Sequence, residues 1–141
     1  MTLFPPPSQL TSHQAPALLV DELLAAAADG SSARSRLINR EGLDLLQIIE
    51  GGAQTIAVLM GATMRARGGG PAHGMLVGVK NARLAQDISA GRLVEAHVSL
   101  SYSLPPFSLF DARITVDGNE VAHFELKTMS QHAAAEIESL V

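Results

Sequence analysis

Hydrophobic and polar positions divide the chain into two regimes. Between Asp44 and about Arg65, apolar residues stand at 45, 46, 48, 49, 53, 56, 57, 59 and 60. They nearly encircle a helix, which predicts one that is buried on most sides. Asp44 with Gln47 three residues on has the form of a capping box, so the helix is expected over about 44–65. "RARGGGPAHG" at 65–74 ends it with three consecutive glycines and a proline. Beyond that point the period falls from 3.6 to 2. Strands are predicted at 75–84, 93–102, 107–116 and 120–129. In the second of these, Val94, Ala96, Val98, Leu100 and Tyr102 share one face. The last two are joined by Asp117-Gly118-Asn119, a strong hairpin signal.

Upstream the pattern is less decisive. Leu, Glu and Ala dominate 18–28, and propensity alone predicts a helix there, ended by the turn signal Asp29-Gly30-Ser31. "FPPPSQ" at 4–9 reads as a stiff polyproline-like lead-in. With 141 residues the chain is expected to be one domain, 1–141, in which 1–10 is the Pro-rich lead-in and 130–141 a C-terminal tail. A long buried helix followed by an antiparallel meander predicts an α+β arrangement with the sheet wrapped around the helix.

Composition narrows the function classes. Hydrophobic residues at 47% against 17% charged describe a globular chain. The absence of cysteine excludes disulfides and thiolate metal sites and fits a cytoplasmic location. A net charge of −4, few aromatics and no basic run argue against nucleic acid as a partner. "MTLFPPPSQL" has neither the charged nor the long apolar region of a secretory signal. Residues 45–64 approach the roughly 18–20 apolar residues that a membrane span needs. Gln47, Glu50 and Gln54 interrupt them, so no membrane span is expected. The glycine-rich 65–74 stretch lacks the Lys-Ser/Thr ending of a phosphate loop. No "GxSxG", "HExxH" or paired Cys/His spacing occurs, so no metal and no cofactor is expected.

One residue stands out inside the helical run. Glu50 lies near the middle of "LLQIIEGGAQTIAVLMG", and a carboxylate taken out of water loses several kcal/mol of solvation unless it is paired, protonated or used. Two readings stand: an acid–base residue or the remnant of one, and a structural Glu bonded to backbone or to a partner chain. Gln54 shares its helix face one turn later, either orienting Glu50 or satisfying it. Gly51 and Gly52 beside it would let the helix approach another backbone closely. Of the five histidines, His13 and His73 are secondary candidates for the site. His97 and His123 fall on polar strand faces with Glu95, Ser99 and Glu125, and His132 in the tail is assigned nothing.

Four segments, in order and at the right spacing, carry a resemblance. "SHQAPALLVDEL", "IIEGGAQ", "LVGVKNARL" and "DGNEVAHFEL" resemble segments of the hot-dog-fold 3-hydroxyacyl-[acyl-carrier-protein] dehydratases of bacterial fatty-acid synthesis, over roughly residues 10–129. Nearest are the small dehydratase-like proteins of aryl-polyene pigment clusters. The resemblance implies the hot-dog fold, with a strand pair at 18–28 and 31–38 in place of the helix that propensity predicts. It implies action on, or binding of, acyl thioesters of an acyl carrier protein or coenzyme A, with Glu50 as the helix carboxylate and Gln54 and Gly51 near the substrate. It also implies a dimer through the sheet edge and long helix, either of identical chains or with a related hot-dog protein.

The chain departs from the family's pattern in two places. Active members carry a histidine fourteen residues before the helix glutamate; counting back from Glu50 reaches Arg36, and no histidine stands between residues 14 and 72. The "PG" that opens the family's helix, whose N–H polarises the thioester carbonyl, is absent too, with Leu45 at the glycine's position. Asp44 would compete with a substrate carbonyl for the same donors. Three functional readings follow: a dehydratase with a nonstandard second group, a non-catalytic subunit pairing with an active dehydratase, and an acyl thioesterase.

Overall fold

The computed structural model describes residues 4–9, 18–68 and 74–130. A 3-10 turn at Pro7–Gln9 leads into β1 (Val20–Ala26) and β2 (Ser32–Leu37). Then come α1 (Leu45–Ala66), β3 (Gly74–Lys80), β4 (Val94–Leu104), β5 (Phe107–Val116) and β6 (Asn119–Ser130). The six described strands form one antiparallel sheet in the order β1-β2-β4-β5-β6-β3, so β1 and β3 are its edges. The sheet curls around α1 in the α+β, hot-dog arrangement expected above.

Each element has a local cause. Residues 20–26 are strand, not helix. The Asp29 carboxylate accepts from the Ser31 N–H and hydroxyl, and Gly30 takes φ 77°, which turns β1 back onto β2. Pairing with β2 then overrides the helix propensity of the Leu/Ala run. The capping box is present: Asp44 accepts from the Gln47 N–H, and the Gln47 side chain accepts from the Asp44 N–H. Asp117 (φ 50°) and Gly118 (φ 87°) supply the two left-handed residues that the β5–β6 hairpin requires. β3 stops at Lys80, short of the expected 84, because Asn81 at φ 62° leaves the extended region.

The core lies between α1 and the concave face of the sheet. Ala96, Ile114, Phe124 and Leu126 point inward from the central strands, against Ile48, Ile56 and Leu59 of the helix. Gly51 and Gly52 set the distance. A Cβ on Gly51 would come 2.6 Å from Leu37 Cδ1, and one on Gly52 would come 3.2 Å from Leu126 Cδ1. The close approach that these glycines allow is therefore to the side chains of the chain's own sheet, where another backbone was expected.

α1, expected to be buried on most sides, leaves one side open: Leu46 is 75% exposed and Met64 42%, and Ile49, Glu50, Ala53, Ala57 and Met60 between them are half-buried. These positions form one outward stripe. By length and composition α1 could cross a bilayer, but half of its most apolar window is buried inside the fold, where it serves as the core helix. In β4, the shared face predicted for 94–102 breaks at a bulge between Leu100 and Tyr102. Leu100 pairs with inward-facing Phe110, and Tyr102 with outward-facing Leu109, so Tyr102 turns to the convex side.

Among the described residues, the Ser35 hydroxyl is fully buried on the inner face of β2 with no hydrogen-bond partner. An unmet buried polar group costs about 1–3 kcal/mol. Ser35→Ala is therefore expected to raise the midpoint of urea unfolding. Gly51→Val, which drives a branched side chain into Leu37, is expected to lower stability by about 1–3 kcal/mol.

Candidate active site

Glu50 projects from the first half of α1, adjoining the glycines that face the sheet, and is half-buried at the edge of the outward stripe. Its geometry is fixed from below by Gln54, which is fully buried. The Leu19 N–H, on the segment entering β1, donates to Gln54 Oε1 at 2.6 Å. With its carbonyl oxygen so committed, the amide can only turn its nitrogen the other way, and Nε2 donates to Glu50 Oε1 at 3.1 Å. A backbone donor thus orients an amide, and the amide orients a carboxylate one helical turn earlier. Gln54 is thus hydrogen-bonded to Glu50, as its place on the same helix face one turn later allows.

The other expected participants are distributed differently. Gly51, expected near the substrate, lies on the sheet side of α1 against Leu37, away from the outward stripe. His13 and His73 lie outside the described residues, as does His132. Arg36, at the family histidine's position by count, is on the convex face of β2. Its guanidinium is bound to Asp21 at 3.1 Å and to Glu22 at 2.6 Å. The sheet separates it from Glu50, so it cannot stand in for the histidine.

His97 and His123 also occupy the convex face, in one cross-strand row with Arg34 and Arg113. The flanking rows supply counter-charges: Glu95 lies 3.5 Å from Arg34 and 3.7 Å from His97, Glu120 lies 3.7 Å from Arg113, and Asp111 lies 3.5 Å from His123. Partial burial holds His97 below the usual imidazole range; Glu95 opposes that shift, and Arg34 and Arg113 add to it. Among the described residues, then, no histidine lies on the helix side of the sheet. Two clefts of the described surface, about 820 and 410 Å³, open around His97 and beside residues 84–92, and neither is lined by Glu50.

The helix N-terminus is also occupied. Asp44 Oδ1 accepts the Gln47 N–H at 2.9 Å, so that donor is not offered to a substrate carbonyl. Asn39, which the sequence did not single out, holds the approach to this end of the helix. Its amide nitrogen donates to the Ser89 and Arg92 carbonyls, and its oxygen accepts from the Gly42 N–H. Asn followed three residues later by Gly was the available signal. The described residues contain no cluster able to hold a metal ion.

A family model described as ApeP dehydratase matches residues 5–139. The chain belongs to the ApeP-like dehydratase family. No curated protein sequence matches it. Among solved structures, it is similar to the dehydratase heterocomplex ApeI:P from Xenorhabdus doucetiae. The TM-score is 0.83 at 18% identity, covering 95% of this chain and 97% of that one. An HP0420 homologue from Helicobacter felis follows at TM-score 0.64 and 9% identity, covering 84% and 82%. A hypothetical thioesterase with coenzyme A from Streptococcus pneumoniae gives 0.61 at 7% identity, covering 78% and 84%. At these identities, the structures establish the shared hot-dog fold. Within it, this chain carries Glu50 on α1 and, among the described residues, no histidine on the helix side of the sheet.

Two outcomes follow from this geometry. Gln54→Leu removes the acceptor of the Leu19 N–H and is expected to cost about 1–3 kcal/mol, with faster hydrogen exchange at the Leu19 amide. His97, whose folded pKa is lowered, binds protons less readily in the folded than in the unfolded chain. Its contribution is present above about pH 6.5 and is lost as pH falls through the folded value. Urea unfolding of His97→Gln is accordingly expected to show a shallower loss of stability below pH 6.5 than the parent.

Proposed function

We propose that this chain is an acyl-thioester-binding dehydratase subunit that contributes Glu50 to a site completed by a related, histidine-bearing hot-dog subunit. One observation carries the reading: a carboxylate is held in place by a buried amide at the rim of an outward apolar stripe, with every described histidine on the far side of the sheet. Dehydration of a 3-hydroxyacyl thioester removes a proton from C2 and hydroxide, protonated to water, from C3. It therefore needs a base, an acid and donors for the thioester oxygen as negative charge develops there. Glu50 supplies one of the first two roles. A second group facing it across the stripe supplies the other.

The stripe itself supports pairing. Leu46, Ile49, Ala53, Ala57, Met60 and Met64 present an apolar helix face to the exterior, and β3 is an edge strand with Val77 and Val79 exposed. A partner seated there would exclude water from Glu50 and strengthen its interaction with an opposing imidazole. The similar solved structure from Xenorhabdus doucetiae is the dehydratase heterocomplex ApeI:P, which favours a different chain as partner over an identical one. The acyl group arrives on an acyl carrier protein or on coenzyme A, in the cytoplasm.

Mass spectrometry of a 3-hydroxyacyl carrier protein tests this directly. Incubated with the purified chain alone, the substrate is expected to be unchanged. With a histidine-bearing hot-dog partner added, it is expected to lose one water. Glu50→Gln in the mixture is expected to slow that loss by about 10²-fold or more, the usual scale of an acid–base group. Loss of water with the chain alone would make it a self-sufficient dehydratase, and release of the free acid would make it a thioesterase.

A further inference from the structure

We propose that the chain's own residues 131–141 cover an apolar patch at one end of the convex face of the sheet. The patch exists because of the β4 bulge. Past it, Tyr102 and Leu104 are turned outward and join two cross-strand rows, Tyr102–Leu109–Lys127 and Leu104–Phe107–Met129–Met75. Leu104 is 59% exposed, Tyr102 57% and Met75 46%. The middle of the same face carries the opposite chemistry, rows of Arg, His, Asp and Glu. A contiguous apolar area on an otherwise charged sheet face marks a surface that another group covers.

The patch has one charge. Lys127 Nζ sits over the Phe107 ring, 4.5 Å from its centroid, with no ion pair among the described residues. The occupant that fits is therefore apolar with a carboxylate. The chain supplies such a segment at the required place. β6 ends at Ser130, next to Met129 in the patch. The sequence that follows, "QHAAAEIESLV", spaces Ala133, Ala134, Ile137, Leu140 and Val141 three and four apart, with Glu136 and Glu138 among them. The family model runs on through residue 139, so this segment belongs to the family's pattern. Covering the patch would place a glutamate against Lys127 and remove Leu104 and Met129 from water.

Methyl-labelled NMR on the full chain tests the proposal, with Ile137→Val used to assign the Ile137 signal. Nuclear Overhauser contacts from the Ile137 and Leu140 methyls to those of Leu104, Met129 and Met75 are expected within one molecule. Ile137→Asp should abolish them and increase amide exchange across Ser99–Leu109, leaving β1, β2 and α1 unchanged. Contacts seen only between differently labelled molecules would assign the patch to a second copy and overturn the proposal. Absence of such contacts in a folded parent chain would overturn it as well. The result is independent of catalysis, so it stands or falls apart from the dehydratase reading.

Discussion

The flush seating of α1 on the sheet at Gly51 and Gly52 fixes nearly everything else about the molecule. With Leu37 on one side and Leu126 and Phe124 on the other, neither position has room for a larger side chain without displacing the core. The rotation of the helix is thereby set, because each residue advances by about 100°. Ile48, Thr55 and Leu59 must face inward, and Leu46, Ala53, Ala57 and Met64 outward. Glu50, one residue before the glycine pair, falls at the boundary between the two faces. Its position follows from the packing of its neighbours.

Location alone does not aim a carboxylate. That is achieved by a chain of donors and acceptors that begins on the backbone of Leu19 and passes through Gln54. A buried amide has a strong preference for meeting all its hydrogen-bonding capacity, so the entry to β1 and the orientation of Glu50 are coupled. Three features of the described residues set this site apart from the family's pattern. The helix N-terminus is closed by its own capping aspartate, the family histidine's position is an arginine tied to two carboxylates on the other face, and the described histidines belong to a solvated charge lattice. In the proposed function, a second surface meets this half-buried carboxylate at the rim of the apolar stripe.

Much of this was legible in the sequence, and the rest fails for identifiable reasons. The helix, its capping box and the Asp117-Gly118 hairpin are encoded by local chemistry, and each appears within a residue or two of its expected place. The β1–β2 pair was not readable from propensity, because Leu/Ala-rich strands form only when a partner strand claims them; it took resemblance to the family to place it. The outward stripe was hidden because an apolar helix face toward a partner has the same composition as one toward a core. The β4 bulge was hidden because a single inserted residue shifts the period without changing the alternating pattern on either side. Glycine likewise signals close approach without naming what approaches, and at Gly51 the neighbour is a leucine of the same chain.

The lack of native cysteine makes a direct test of the shared site simple. A Glu50→Cys chain would be mixed with a histidine-bearing hot-dog partner in which the active-site histidine is cysteine, and oxidised mildly at low protein concentration. A disulfide-linked heterodimer on a non-reducing gel, formed faster than with Ala57→Cys, is the expected result. An intact complex that never cross-links through position 50 would show that Glu50 does not face its partner's catalytic group.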